Sequence, residues 1–540
     1  MLGLMQDRPL NIPMIVGHAE RMHARKTVTT RTEHGVTVTP VGEVLERARR
    51  LVAALRALGV RDGDRVATFC WNTQQHLEAY VGVPCLGAIL HTLNIRLFEA
   101  DLAYIVEHAG DSVVIVDRSL LPTWQKVAGL VRRTLTTIVV PDCPGSTPPG
   151  HLDYEELLAA HAPERDLPDV PERQAAAMCY TSGTTGRPKG VVYSHRSNVL
   201  HSLVTMSKDA LGVCERDVVL PIVPMFHANA WGLPYTCLLA GAELVLPGRH
   251  GTPQILRDCL VERGITLAAG VPSIWVGMLD ELARSRPPRL ERILCGGSAV
   301  PASLQQAYRE RVGVEIHQAW GMTETSPLGT LCRTLARHDA ADAHARARIL
   351  NTQGRAVPLV ELRLVGDDGA ELPRDGVAVG ELEARGPWIA SGYHDDPEGS
   401  RDKFRDGWLR TGDVASICPE GYLRIADRTK DLVKSGGEWI SSVELEGHIV
   451  AHPGVLEAAV VAIPHPKWSE RPLACVVTRP GATLTAAQVI EFVRPRVAKW
   501  WLPDDVVFLD ALPKTSVGKL DKKVLRERFK DHAAAGGPNT

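Results

Sequence analysis

Residues 41–70, VGEVLERARRLVAALRALGVRDGDRVATFC, hold the unit from which the fold can be read. Val41, Val44, Leu45, Ala48, Leu51, Val52, Leu55 and Leu58 recur at helical spacing between Pro40 and Gly59, so the pattern predicts an amphipathic helix over 41–58. RDGD then reads as a turn and RVATFC as a short buried strand. Further apolar strands follow at SVVIVD (112–117) and TTIVVPD (136–142). Helices alternating with continuously apolar strands imply a largely parallel sheet covered by helices, and so an α/β fold.

The chain has 540 residues, which at about 150 residues per domain suggests three to four domains. Apolar content of 44%, charged content of 23% and a mean hydropathy of −0.06 are those of a globular chain and exclude fibrous or disordered classes. Lys and Arg total 61 against 63 Asp and Glu, so no net field draws the chain to nucleic acid or an anionic membrane. The eleven cysteines are scattered from Cys70 to Cys475 without a CxxC pair, which argues against a disulfide framework or zinc ribbon. No basic stretch followed by an apolar core opens the sequence, so no signal peptide is read and a cytoplasmic enzyme is expected. Val218–Pro247 is the most apolar candidate span. Pro221, Pro224, Pro234, His227 and Asn229 interrupt it, and a buried strand-loop-helix is expected in place of an integral membrane segment.

The segment from Pro163 to Arg173 is a charged, proline-bearing connector. From about Glu361, the runs ELRLV, GELEARG and GYLRIAD predict a smaller antiparallel sheet or barrel. After Asp427 the texture changes again, to a compact α+β set containing HPGVLEAAVVAIPHP, ACVVTRP and a helix-like TAAQVIEFVRPRV.

The densest chemical signal is Tyr180–Gly190, YTSGTTGRPKG, directly after the apolar AAAMC. Gly183 and Gly186 allow backbone N–H groups to approach a phosphate. Thr181, Ser182, Thr184 and Thr185 add hydroxyls, and Lys189 adds a charge. It is not a Walker A loop, because the lysine does not follow a glycine and no Ser or Thr follows the lysine.

From this loop onward the chain resembles the adenylate-forming family of acyl-CoA synthetases, luciferases and peptide-synthetase adenylation domains. The resemblance covers nearly the whole length: PMFHANAWG (224–232), GVPS (270–273), CGGSAVP (295–301), QAWGMTETSP (318–327), DGWLRTGD (406–413), DRTKDLVKSGGEWISSVELE (427–446) and PKTSVGK (513–519) appear in the family's order. WISSVELE with AVVAIPHPKWSERPLA is most similar to bacterial medium- and long-chain fatty acyl-CoA synthetases. The resemblance implies a large N-terminal part over 1–427, made of two βα-sandwich-like sheets and a small β-barrel. A hinge over 428–433 and a small mobile α+β domain over 434–540 would complete the chain. It also implies ATP, CoA and a carboxylic acid as substrates, Mg²⁺ as cofactor, and a homodimer.

Residue roles follow from the same resemblance. Glu324, between Thr323 and Thr325, is suited to hold Mg²⁺, which takes few protein carboxylates, and Thr181 would reach the same ion. Gly297, Ser298 and Ala299 with Gln318, Ala319, Trp320, Gly321 and Met322 would form the adenine slot, and Thr323 would also bind the nucleotide. Asp413 can accept both ribose hydroxyls, and Arg428 would lie near ribose and phosphate. Lys519 would supply the catalytic ammonium and Lys430 the hinge, while Lys434 and Trp439 would line the nucleotide and acyl-adenylate pocket. In the acyl pocket His227, Trp231, Gly232 and Gly321 are expected, with His227 also counted as catalytic beside Lys519, Glu324 and Lys430, and Trp231 as the gate of a fatty-acid tunnel. The pocket motif lacks the aspartate that holds an amino group, which disfavours an amino-acid substrate. Two alternatives stay open beside a fatty acid: an aromatic or other carboxylate, and acyl transfer to a carrier protein. A silent nucleotide sensor is opposed by the joint presence of Lys519, Glu324 and Asp413. His448 and His452 have helical i, i+4 spacing, but without an HExxH acid and with Pro453 following they are not read as a zinc site.

Overall fold

The structure is a computed structural model that describes residues 1, 3–33, 35–181, 187–428, 430–435, 438–514 and 520–532, without the side chains of Glu438 and Trp439. Ser182, Gly183, Thr184, Thr185, Gly186 and Lys519 therefore lie outside the described residues.

The predicted first helix runs Val41–Ala57. Leu58 falls beyond it and is 36% exposed, because the chain turns away at Gly59 with φ +86°, a left-handed conformation that glycine adopts without a Cβ penalty. The apolar stripe packs on the helix Gln74–Leu86, and the two backbones approach so closely at Gly82 that a Cβ there would lie 2.9 Å from the Ala48 carbonyl oxygen.

Among the described residues the strands form four sheets. The first has seven strands in the spatial order Leu152–Asp153, Thr136–Val140, Val113–Asp117, Arg65–Phe69, Ile89–Thr92, Ala175–Tyr180 and Gly190–Ser194. All pairs are parallel except the last, where Ala175–Tyr180 and Gly190–Ser194 run antiparallel. The second has nine strands, with a parallel centre formed by Glu315–Gly321, Arg292–Cys295, Leu267–Gly270, Val218–Pro221 and Glu243–Leu246. One apolar core joins these two sheets through residues such as Tyr80, Val83, Leu90, Met225, Tyr235 and Leu244. Val218–Pro247 is a buried strand, turn, helix and strand as expected, and no described helix is long and apolar enough to cross a membrane.

The alternating runs after Glu361 form a third, antiparallel sheet of Glu361–Val365, Gly380–Arg385, Trp408–Ile417, Phe404–Arg405 and Leu423–Arg428. Among the described residues Glu361–Val365 and Leu423–Arg428 are not paired to each other; Leu423 instead bridges to Gly354, where its N–H donates to the Gly354 carbonyl at 2.7 Å. The fourth sheet holds Glu438–Ile440, Val433–Ser435, Ser469–Thr478, Val455–His465 and Asp505–Phe508, and the helices Ser442–Val450 and Ala486–Val493 pack on it.

Asp427, 1% exposed at the end of the third sheet, ties this last part to the body. Its carboxylate accepts hydrogen bonds from the Arg428 N–H (2.7 Å), the Ser442 N–H (2.6 Å) and the Ser442 hydroxyl (2.5 Å) at the start of a helix. Lys522 Nζ reaches the same hydroxyl at 2.5 Å and Glu446 at 2.7 Å. Burial pushes the Asp427 and Glu446 carboxyls upward, opposed by the Lys522 ammonium.

Three core histidines make the fold acid-sensitive. Burial lowers His76, His195 and His201 from 6.5 to about 4 each. Between those values the unfolded chain binds the proton more tightly. The stabilisation is therefore complete above the unfolded value and is lost as pH falls through it toward the folded one, by about 2 kcal/mol per histidine at pH 5. The urea midpoint is expected to be clearly lower at pH 5 than at pH 7. Equal midpoints would contradict the neutral burial of these rings.

Candidate active site

A cavity of about 970 Å³ opens where the carboxyl ends of the second sheet's strands face the antiparallel sheet and the helix Ser442–Val450. This is the crevice in which α/β sheets generally hold ligands. Its wall brings together residues distant in sequence, including Thr181, Lys189, His227, Trp231, Glu324, Asp413 and Lys430.

The base of the glycine-rich loop is built by strand pairing. Tyr180 faces Gly190 in register, the Thr181 N–H donates to the Lys189 carbonyl (2.9 Å), and the Lys189 N–H donates to the Thr181 hydroxyl oxygen (3.1 Å). Gly190 is tightly enclosed: an added Cβ would stand 3.1 Å from the Tyr180 ring and 3.2 Å from His394 Cβ. Lys189 Nζ pairs with Asp396 at 3.1 Å and lies 4.8 Å above the Tyr393 ring.

Glu324 is 4% exposed, on a short 3₁₀ turn after the strand Glu315–Gly321. Its Oε1 accepts a 2.6 Å hydrogen bond from the Tyr393 hydroxyl, and its carbonyl accepts the Ala390 N–H at 2.8 Å. The neighbouring Thr323 carbonyl accepts from the Tyr193 hydroxyl at 2.7 Å. Burial raises the Tyr393 phenol, with Glu324 adding to the shift, so this hydroxyl stays protonated and donates. Lys403 also borders the cavity, and burial lowers its pKa against the opposing pull of Glu324.

No group of three His, Cys, Asp or Glu side chains able to cage a metal occurs among the described residues. A donor set of one buried carboxylate and the Thr181 hydroxyl, which keeps a lone pair beyond that used by Lys189, fits an ion such as Mg²⁺ that arrives with phosphate oxygens and water.

Gln318, Ala319, Trp320, Gly321 and Met322 border the cavity along and beyond their strand, opposite Gly297, Ser298 and Ala299. The Gln318 side chain is 1% exposed and accepts the Val300 N–H at 3.2 Å, so it braces the 297–300 loop. Trp320 Nε1 donates to Asp413 Oδ2 at 2.8 Å, and Asp413 Oδ1 pairs with Arg428 Nε at 2.5 Å. Asp413 and Arg428 face each other in adjacent strands, which fixes the pair without help from either side chain's flexibility. At Gly321 a Cβ would fall 1.7 Å from the Pro327 carbonyl oxygen, so this glycine is required by close approach.

On the apolar side, Ala228, Asn229, Ala230 and Trp231 have φ values of 42°, 52°, 47° and 57°, followed by Gly232 at 74°. Such a run of left-handed residues costs roughly 1–2 kcal/mol for each non-glycine and persists only where packing enforces it. All five are buried. The turn sends the Trp231 indole toward Gly296, whose Cβ position would lie 3.5 Å from the ring. Gly232 does not border the cavity; its missing Cβ makes room for the His201 ring, 2.5 Å away.

Lys430 and Arg428 stand on the rim toward the C-terminal part. Lys434 does not border the cavity in this arrangement. It lies in the strand Val433–Ser435 opposite Trp439, and its N–H donates to Glu470 at 2.7 Å. His448 lies 3.9 Å from Glu444, and the His452 ring packs against Phe492, so the two share no ligand geometry. Tyr393, Asp396 and Lys403 were not anticipated. GYHDDPEGS gives no local sign that its tyrosine meets a glutamate 69 positions earlier.

The AMP-binding enzyme family matches residues 18–394, and the AMP-binding enzyme C-terminal domain matches residues 444–519. The chain belongs to this family of adenylate-forming enzymes, in its acid–CoA ligase branch. It is 46% identical to a long-chain-fatty-acid–CoA ligase of Thermus thermophilus, over 98% of this chain and 97% of that one. It is 44% identical to a 3-methylmercaptopropionyl-CoA ligase of Ruegeria lacuscaerulensis, over 98% and 99%. Among solved structures, an anthranilate CoA ligase in complex with anthranoyl-AMP superposes with a TM-score of 0.87 at 26% identity, covering 97% of this chain and 99% of that one.

Trp320→Phe keeps the ring but removes the N–H that Asp413 accepts. Loss of one hydrogen bond to a charged, buried group is expected to weaken ATP binding about tenfold by calorimetry. Unchanged affinity would show that the Trp320–Asp413 bond takes no part in ATP binding.

Proposed function

We propose that the protein is an ATP- and Mg²⁺-dependent ligase that converts a medium- or long-chain fatty acid to its CoA thioester in two steps. The substrate carboxylate attacks the α-phosphorus of ATP and pyrophosphate leaves. The CoA thiol then attacks the acyl carbon of the adenylate and AMP leaves. The observation that carries this reading is one cavity bordered by Lys189 and Glu324 at one end, Asp413 beside Trp320, and Trp231 against Gly296 on an apolar side.

In this reading the 181–189 loop, with Ser182, Gly183, Thr184, Thr185 and Gly186, cradles the phosphates. Glu324 and Thr181 hold the metal, which when bound neutralises polyphosphate charge. Asp413 accepts the ribose hydroxyls, and Trp320 with Gly297, Ser298 and Ala299 flanks adenine. An ammonium about 4 Å from a phosphate oxygen contributes on the order of 4 kcal/mol at an effective dielectric of about 20, the role assigned to Lys519. No enzyme nucleophile is needed, so catalysis is alignment and charge stabilisation.

Lys430 is the hinge about which the C-terminal part turns between the steps, bringing Lys434 and Trp439 to the nucleotide. His227 and Trp231 border the acyl side. A homodimer in the cytoplasm belongs to the same proposal.

The 3-methylmercaptopropionyl-CoA ligase relative supports a second reading, a short thioether acid as substrate, because its identity is nearly that of the fatty-acid ligase relative.

Pyrophosphate release measured over straight-chain acids from acetate to palmitate, 3-(methylthio)propionate and benzoate, with and without CoA, separates the readings. Highest kcat/KM for C8–C16 acids with CoA is expected. A maximum at 3-(methylthio)propionate favours the second reading, and no release with any acid contradicts both. Lys519→Ala is expected to lose adenylation by a hundredfold or more, on the order of 3 kcal/mol, while keeping most thioester formation from preformed acyl-AMP.

A further inference from the structure

The segment 390–396 touches both ends of the phosphate-handling side of the cavity. The Ala390 N–H donates to the Glu324 carbonyl at 2.8 Å and the Tyr393 hydroxyl donates to the Glu324 carboxylate at 2.6 Å. Directly after Tyr393, the same strap holds the exit of the glycine-rich loop: the His394 N–H donates to the Gly190 carbonyl at 2.8 Å, and Asp396 pairs with Lys189 at 3.1 Å. Tyr393 serves both, since its ring lies under the Lys189 ammonium at 4.8 Å while its hydroxyl binds Glu324.

The strap is itself fixed. The Tyr393 N–H donates to the Ser400 hydroxyl at 2.8 Å, the Gly399 N–H donates to Asp396 at 2.8 Å, and the Tyr393 ring meets Phe404 edge-on at 5.2 Å. At 9% exposure the ring has little freedom to swing away.

We propose that Tyr393 is a positioning residue that couples the metal-binding carboxylate of Glu324 to the phosphate-binding ammonium of Lys189, so that both are set before ATP and Mg²⁺ enter. The inference rests on the proposed role of Glu324. One carboxylate oxygen is committed to the phenol, which fixes the carboxylate plane and leaves the second oxygen for the metal. A hydrogen-bonded partner of a metal ligand typically changes metal affinity by about 10- to 100-fold when removed. The ring face separately restrains the ammonium through a cation–π contact.

The hydroxyl of Tyr393 can be removed alone and then together with the ring, and equilibrium ATP binding reads both changes without turnover. ATP affinity is measured by calorimetry in EDTA and over a Mg²⁺ series for the wild type, Tyr393→Phe, Tyr393→Leu and Glu324→Gln. Tyr393→Phe keeps the ring. It is expected to leave ATP affinity in EDTA within about twofold of wild type and to raise the Mg²⁺ concentration for half-maximal enhancement about tenfold. Tyr393→Leu is expected to weaken ATP binding in EDTA as well, by about fivefold. A wild-type Mg²⁺ profile in Tyr393→Phe, with Glu324→Gln still losing its Mg²⁺ dependence, overturns the inference and leaves the function standing. Equal weakening of Tyr393→Phe with and without Mg²⁺ also overturns it, because a merely structural role would act on both. Wild-type binding that ignores Mg²⁺ overturns the role of Glu324 and this inference with it.

Discussion

The antiparallel pairing of Tyr180 with Gly190 is the constraint on which the site depends. The first sheet is otherwise parallel, and a parallel strand would have carried the chain away through a crossover. Turning straight back keeps Thr181 and Lys189 together at the carboxyl edge of the sheet, on the cavity wall. The pairing also places Gly190 where the His394 N–H can reach its carbonyl, so the strap carrying Tyr393 and Asp396 is fixed to the same point. Sheet register, loop base and strap thus locate Lys189 relative to Glu324 without any contact between the two side chains being required.

The cavity stores charge in buried surroundings, and each buried carboxylate there has a specific donor. Glu324 has Tyr393, Asp413 has Trp320 and Arg428, Asp427 has Ser442 and the Arg428 N–H, and Glu446 has Lys522. Removing one partner from such a group costs several kcal/mol, because the charge stays buried without compensation. The Asp427–Ser442–Lys522–Glu446 cluster joins the third sheet to the fourth-sheet part, so the proposed hinge motion must exchange these bonds for others or for water. On the acyl side, backbone strain at 228–231 is held by full burial of the turn, which fixes the Trp231 indole as a rigid wall.

Much of this was legible in the chain. Period-3.6 and apolar-run patterns identified the helix at 41–57 and the strands at 65–69, 113–117 and 136–140, because those elements are decided by burial on one face or on both. Glu324, Asp413, Trp320 and Lys189 were legible because each sits in a run whose residue types have a chemical reason to occur together. Tyr393 was not, since its partner is brought near only by the third sheet packing beside the second. The left-handed turn was equally hidden: in HANAWG only Gly232 and Asn229 are types that favour positive φ, and nothing in Ala228, Ala230 or Trp231 signals a conformation that tertiary packing imposes. Gly232 and Lys434 were expected at the pocket, yet one serves the packing of His201 and the other lies on the fourth sheet away from the cavity. The antiparallel runs after Glu361 did not distinguish an open sheet from a closed barrel, because strand alternation is the same in both.

The central claim is that one cavity first joins a carboxylate to the α-phosphate of ATP and uses CoA only afterwards. Exchange of labelled pyrophosphate into ATP, followed without CoA and with a fatty acid present, tests that order directly. The account requires carboxylate-dependent exchange that needs Mg²⁺ and proceeds in the absence of CoA. Exchange that appears only when CoA is added, or none with any carboxylic acid, would contradict it.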